Sequence, residues 1–252
     1  MSNSYQSFSY VYDKFMDNIP YHEWATYLTN LFHQHGIEHD TLIELGCGTG
    51  TMALCMADAG YSIIGIDNST DMLTIAQDKL TTHSTIALTL QDMREFTLDG
   101  TYNGFYSVCD SLNYLLTPED LSAAFLSVKK HLSPQGIFIF DLKTPYFYEY
   151  VLGDQTFCDH QEDCSYTWEN SYFEEDHINQ YDLTLFIKES GDTRFMRFTE
   201  THHQRAYSLP EIIDLLSLSG LEYVTAYDAF TPNAPTDTSE RIYIIAKNRN
   251  GE

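Results

Sequence analysis

The stretch Glu44-Leu-Gly-Cys-Gly-Thr-Gly50 decides how this chain is read. It follows Thr41-Leu-Ile-Glu-Leu45, a short apolar run of strand type, and leads into a helical pattern that continues to Ala59. Strand, glycine-rich turn and helix in that order place the turn at the carboxyl end of a parallel strand, the edge where open α/β sheets bind ligands. Glycines there let the backbone approach a bound molecule, and the first helical turn offers unpaired N–H groups. The spacing is G-x-G-x-G, unlike the G-x-G-x-x-G of a dinucleotide site, whose helix dipole faces a pyrophosphate.

Outward from this turn the chain alternates strand and helix, as a doubly wound sheet requires. Gly60 stops the first helix, and residues 61–66 form a second strand ending at Asp67. Ser69 is placed to cap a helix over residues 70–80. Residues 86–90 form a third strand, ending at Gln91-Asp92-Met93, and residues 105–109 a fourth. Pro118 opens a helix to His131, where its missing N–H costs nothing. Ser133-Pro-Gln-Gly136 reads as a turn before a short apolar fifth strand, residues 137–140, ending at Asp141. Upstream, Pro20 precedes a helix over residues 21–35, and residues 5–17 are too aromatic for a free tail.

After Pro145 the rhythm changes. Residues 181–187 and 194–199 alternate apolar and polar side chains about a turn at Ser190-Gly-Asp192, the pattern of antiparallel structure. A helix over residues 209–219 and two strands, residues 221–230 and 241–246, complete the chain. The loop between those strands, residues 231–240, contains Pro232 and Pro235 and is expected to be mobile.

Three acids, Glu44, Asp67 and Asp92, thus sit at the ends of three consecutive parallel strands. A carboxylate where Asp67 stands can accept both hydroxyls of a ribose, and one where Asp92 stands can accept from an adenine amino group while Met93 packs on the ring. Each acid alone could be a helix cap or a solvated loop residue; jointly, beside the glycine turn, they describe a nucleoside site.

On these residues the chain resembles the class I S-adenosylmethionine-dependent methyltransferases. The resemblance covers about residues 37–145 and 208–247. It implies a Rossmann-like, mostly parallel seven-stranded sheet of order 3-2-1-4-5-7-6, with strand 7 antiparallel. The expected division is a cofactor-binding core of residues 1–145 and 208–252 with an N-terminal helical lid, and an antiparallel β insertion of residues 146–207 on the substrate side. By the family pattern Gly46, Cys47 and Gly48 line the methionyl side, where Glu44 balances the ligand's ammonium and sulfonium. Asp67 with Asn68 holds the ribose, Asp92 with Met93 holds the adenine, and Cys109-Asp110 faces the methyl-transfer point. Tyr10 or Tyr12, with Trp24, would belong to the lid. A narrower resemblance joins Tyr12-Asp-Lys-Phe-Met16, Ile19-Pro-Tyr21 and Trp24 to a group of little-characterised bacterial methyltransferases. The insertion, ending in Glu200-Thr-His-His-Gln-Arg-Ala-Tyr207, looks like that of small-molecule N-methyltransferases acting on amino sugars or glycine.

Methyl transfer is an in-line displacement at a carbon already activated by sulfonium, so alignment and exclusion of water carry most of the catalysis. An amine acceptor needs only to arrive deprotonated, whereas a hydroxyl usually needs a base. His202, His203, Asp110 and Asp141 are the candidate bases, and Tyr12, Asp110 and His203 are taken as the catalytic set. His202 and His203 are adjacent on a strand and point to opposite faces, so at most one meets the site. Arg205 and Tyr207 either bind an acceptor or fix the insertion to the core.

Composition narrows the partners. The 252 residues carry 13 Lys+Arg against 37 Asp+Glu, a formal net charge of −24, which opposes binding to a polyanion. Five scattered cysteines suit reduced thiols and a cytoplasmic protein better than a disulfide framework. No apolar run approaches the roughly 18 residues that span a bilayer. Cys158 and Cys164, near Asp159 and His160, lack the second pair that structural zinc sites use, so no metal is expected. The expectation is methyl transfer to a small-molecule N or O nucleophile. The alternatives are a protein or RNA acceptor, or a non-catalytic sensor of the cofactor.

Overall fold

The computed structural model describes residues 12–13, 19–188 and 193–249. The expected contributions of Tyr10, of most of residues 5–17 and of the Ser190-Gly-Asp192 turn lie outside these. Helix α1 (Tyr21–Gln34) is followed by β1 (Thr41–Leu45), α2 (Thr51–Asp58), β2 (Ser62–Asp67), α3 (Thr70–Leu80), β3 (Ile86–Leu90) and β4 (Tyr102–Ser107). A 3-10 turn (Ser111–Tyr114), α4 (Pro118–His131) and β5 (Leu132–Lys143) complete the first half. After a π-helical turn (Phe147–Leu152) come β6 (Thr156–His160), β7 (Cys164–Phe173), β8 (Ile178–Lys188) and β9 (Phe195–Arg205). The chain ends in α5 (Leu209–Leu218), β10 (Leu221–Asp228) and β11 (Arg241–Asn248).

Seven strands form one sheet in the order β10-β11-β5-β4-β1-β2-β3, and β6 to β9 form a separate antiparallel meander. Strand β11 runs antiparallel to both neighbours, whereas β5, β4, β1, β2 and β3 pair in parallel. Counted without the insertion, this is the expected order 3-2-1-4-5-7-6.

The large sheet is buried on both faces, which explains why its central strands read as continuous apolar runs. Along β5, Phe138, Phe140 and Leu142 face one core with Phe125 and Leu121 of α4 and Ile212 of α5. Ile137 and Ile139 face the other, with Leu28 and Phe32 of α1 and Met52 and Met56 of α2. The helices start where their caps are: the Ser69 side chain accepts from Met72 N, Thr117 from Asp120 N and Ser208 from Glu211 N.

Two local expectations are corrected. Ser133-Pro-Gln-Gly136 is not a turn ahead of a short strand but a bulge inside a longer one. Pairing jumps from Tyr102↔Leu132 to Gly104↔Ile137, so the extra residues loop out while the strand continues. The segment of residues 231–240, expected to be mobile, is pinned. Thr144 Oγ1 donates to Ser239 O (2.6 Å), Tyr27 OH to Thr231 O (3.2 Å), and the Phe230 ring packs 5.0 Å from that of Trp24.

Candidate functional site

The glycine turn is tied to β2: Gly46 N and Cys47 N both donate to Ile66 O, at 2.8 and 3.1 Å. Gly46, Gly48 and Gly50 have φ of +71, +53 and +75°. A Cβ on Gly46 would stand 2.7 Å from the Ser111 side chain, and one on Gly50 2.7 Å from Leu80. At Gly48 it would meet nothing within 4 Å, so this glycine borders open space at the edge of the sheet. Its N–H donates to Asp67 Oδ2 (2.8 Å), and Asp67 Oδ1 accepts from Ser69 N (2.8 Å). Burial raises the Asp67 pKa against the pull of these backbone bonds.

Glu44 points from β1 toward Tyr106 of β4. It is buried, and its Oε2 accepts from Tyr106 OH at 3.0 Å. Burial pushes its pKa up to about 8, with the Tyr106 bond opposing and the Asp67 charge assisting. Cys47 is buried against β2, its Sγ 2.8 Å from where a Cβ on Gly65 would stand, so it offers the open space its backbone rather than its thiol.

At the end of β3, Asp92 is bound by Arg94 through Nε (3.0 Å) and Nη2 (2.6 Å) and by a hydrogen bond from the Asn68 side chain, which together lower its pKa. Arg94 also pairs with Asp120 at 2.8 Å. The Met93 terminal methyl lies 3.3 Å from the Cβ position of Gly46, which brings Met93 to the glycine turn.

Beyond β4 the backbone makes a rare turn: Cys109 and Asp110 are both left-handed, with φ of +60 and +54°. One carboxylate holds both. Asp141, with no solvent exposure, accepts from Cys109 N (3.2 Å) and Asp110 N (2.8 Å). The Arg241 guanidinium bridges Asp141 (2.5 Å) and Asp110 (2.8 Å) and stacks 5.2 Å from the Trp24 ring. Asp110 also accepts from Gln204 Nε2 (2.7 Å) and pairs with Lys143 (3.3 Å). Burial would raise the Asp110 pKa, but Lys143 and Arg241 outweigh it and hold the group below the usual carboxylate range.

Tyrosines surround this turn. Tyr12 is close to Tyr21, Cys109, Asp110 and Tyr114, and burial raises its pKa well above the ordinary value. The Tyr114 and Tyr181 hydroxyls bond to each other, and the His202 ring stacks on Tyr181 at 4.7 Å. Next to Tyr12, Asp13 reaches the glycine turn: it accepts from Thr49 Oγ1 (2.6 Å) and pairs with Lys79 (2.5 Å). Tyr12 and Asp13 thus span from the turn after β4 to the start of α2.

Three expected residues stand elsewhere. Of the paired histidines it is His202, bonded to Glu200 at 3.2 Å, that shares a face of β9 with Gln204; its ring meets Tyr114 and Tyr181, while Gln204 reaches Asp110. His203 lies on the opposite face and lines an outer cleft with Arg205. Tyr207 is fully buried, its hydroxyl bonded to Leu115 O and, at 3.0 Å, to Thr117 O, so it fastens the insertion to the core and is closed to an acceptor. Sequence reasoning missed Arg241, Lys143, Gln204, Tyr114 and Tyr181. The one available signal was their chemistry: Arg241 and Lys143 are scarce cations in an acidic chain, each at the end of an apolar strand.

Residues 42–136 match the family described as "Methyltransferase domain". Over 96% of its length, and 96% of the relative's, the chain is 34% identical to the "Putative methyltransferase YqeM" of Bacillus subtilis (strain 168). The chain belongs to the class I S-adenosylmethionine-dependent methyltransferases. Among solved structures, this methyltransferase is similar to an S-adenosylmethionine-dependent methyltransferase from Clostridium acetobutylicum ATCC 824. The TM-score is 0.86 at 25% identity, covering 98% of this chain and 99% of that one. It is also 32% identical, over 46% of its length and 47% of the relative's, to the dTDP-3-amino-3,4,6-trideoxy-alpha-D-glucopyranose N,N-dimethyltransferase of Streptomyces venezuelae. The methyltransferase uses S-adenosylmethionine as cofactor. The open space at Gly48, beside the Asp67 carboxylate whose Oδ2 accepts from the Gly48 N–H, suits that cofactor's ribose and amino-acid portion.

Proposed function

We propose that this methyltransferase acts on a nitrogen of a small-molecule acceptor. Asp110 is the observation that carries the reading. The carboxylate closest to the turn after β4 is held ionised and saturated by Arg241, Lys143 and Gln204, so it is a poor base for a hydroxyl. Asp141 is sealed, and the tyrosines of the site keep their protons because burial raises their pKa values. An amine that arrives neutral needs none of them. The N,N-dimethyltransferase that shares part of the sequence supports the same choice.

The cofactor, when bound, supplies a methyl group already activated by its sulfonium. Asp67 and Asn68 would hold the ribose, the Gly46–Gly48 backbone and Glu44 the amino-acid portion, Asp92 and Met93 the adenine, and Cys109 would form the boundary with the acceptor. Tyr12, Tyr114 and Tyr181 exclude water and orient the incoming nitrogen, and their faces favour the positive charge that nitrogen acquires. Asp110 ties β9 to the turn by accepting from Gln204, whose Oε1 in turn accepts from Tyr148 OH.

The test is a screen for S-adenosylhomocysteine release with matched pairs of small amines and alcohols. Turnover with amines, and methylated nitrogen in the product, is expected. Turnover confined to alcohols would overturn the reading.

A further inference from the structure

His203 and Arg205, which the transfer site leaves unused, meet in a cleft of about 520 Å³ on the far face of β9. Leu116, Phe173 and Ile178 form its apolar wall, and Gln180, His203 and Arg205 its polar one, with Asp176 beside them. The register of β8 and β9 sets Gln180 opposite His203 and Ile178 opposite Arg205, a two-by-two patch of side chains. Because neighbours on a strand alternate, His202 and Gln204 reach the tyrosines and Asp110 while these four face away.

The Arg205 guanidinium is braced rather than saturated. Nη1 donates to Asp176 O (3.0 Å), Nη2 reaches Glu211 at 3.4 Å, and the plane lies 5.2 Å from the Tyr207 ring. Its Nε is buried and, among the described residues, has no hydrogen-bond partner. A guanidinium has five N–H donors in a rigid fork, and a planar or tetrahedral oxyanion is the partner that fork fits. Phe173, at 49% exposure, stands half out of the protein in the same cleft, an aromatic surface for a ligand to cover. Cavities of roughly 300–1,000 Å³ hold small molecules.

We propose that this cleft is a second small-molecule site that binds an oxyanion, carboxylate or phosphate ester, attached to an apolar body. The oxyanion sits against Arg205, His203 and Gln180, and the body lies on Phe173, Ile178 and Leu116. The site is separate from the cofactor and transfer sites and does not depend on what the acceptor is.

The experiment titrates protein saturated with S-adenosylhomocysteine, so that the cofactor site is filled. The calorimetric probes are phenyl phosphate, phenylacetate and benzyl alcohol. Saturable one-to-one binding of at least one anionic probe is expected, and which of the two binds tighter separates phosphate from carboxylate. Benzyl alcohol should bind at least about tenfold more weakly, and Arg205→Met should weaken the anionic probe by about tenfold or more. Phe173→Ala should weaken it about threefold or more, since an aromatic contact is lost. Because Arg205 also braces Asp176 and Glu211, Phe173→Ala and Gln180→Ala, which leave it in place, decide the case if Arg205→Met does not fold. Absence of saturable binding by both anions overturns the proposal. So does equal affinity for benzyl alcohol, or affinity unchanged in Arg205→Met or in Phe173→Ala.

Discussion

A buried carboxyl group bonded to a tyrosine hydroxyl keeps its proton well into the neutral range, and Glu44 is such a group. Its pKa is raised from 4.5 to about 8. The sign of the pH dependence follows. Below the unfolded value both states are protonated and the contribution to stability is whole; as pH rises toward about 8 the unfolded chain has released a proton that the folded chain still holds, and stability is lost. Glu44→Gln removes this slope while keeping an acceptor for Tyr106. Between about pH 5 and about pH 8 the wild-type melting temperature should therefore fall relative to that of the variant. Parallel curves would mean that Glu44 is ionised in the folded protein. Asp67 calls for a second substitution. Its side chain accepts the Gly48 and Ser69 N–H groups, so Asp67→Ala should cost about 1–3 kcal/mol of stability as well as weakening S-adenosylmethionine binding by about tenfold or more. Denaturant unfolding and calorimetry measure the two effects, and an unchanged cofactor affinity would remove Asp67 from the ribose. Asp67 was legible in the sequence because it ends an apolar strand after a glycine turn. The choice between His202 and His203 was not: period-2 alternation says that they oppose each other, but the phase depends on which face of the insertion meets the core.

Strand β11 supplies what holds the turn after β4, although it lies far along the chain. Arg241, its first residue, is set opposite Lys143 of β5 and so reaches Asp141, which in turn fixes the left-handed Cys109 and Asp110. Removing one member of a buried ion cluster strands the rest, and Arg241→Ala should cost about 3–5 kcal/mol at neutral pH. Two carboxylates, Asp110 and Asp141, would then face each other without their shared cation. Protonating one relieves this, so the cost should shrink as pH falls, and urea unfolding at several pH values reads it. A cost independent of pH would show that the guanidinium acts by packing on Trp24 instead of by charge. At this scale the sequence was informative where signals are local. Caps at Ser69 and Thr117 and stops at Gly60 and Gly220 bracket helices whose apolar faces recur at helical spacing. The bulge at residues 133–136 and the Arg241 cluster depend on register between strands distant in sequence, which no local pattern encodes.

Across the whole molecule several of the sparse cations are engaged in ion pairs. Arg241, Lys143, Arg94 and Lys79 each pair with carboxylates, and because such pairs cancel, the rest of the protein keeps nearly the whole of the −24 formal charge. Such a field repels polyanions and attracts cations, and its reach is set by salt, about 10 Å at 0.1 M ionic strength. S-adenosylmethionine carries one net positive charge and S-adenosylhomocysteine none, while the two share every other recognition element. The field should therefore speed association of the first more than of the second. Stopped-flow fluorescence, with Trp24 stacked beside Arg241 as the reporter, measures both rates. Raising salt from about 10 mM to about 300 mM should slow binding of S-adenosylmethionine several-fold and leave that of S-adenosylhomocysteine nearly unchanged. Equal slowing of both would assign the salt effect to the protein's own conformation. No slowing of either would mean that Asp67, Glu44 and the turn recognise the cofactor at contact range, with the acidic surface serving solubility alone.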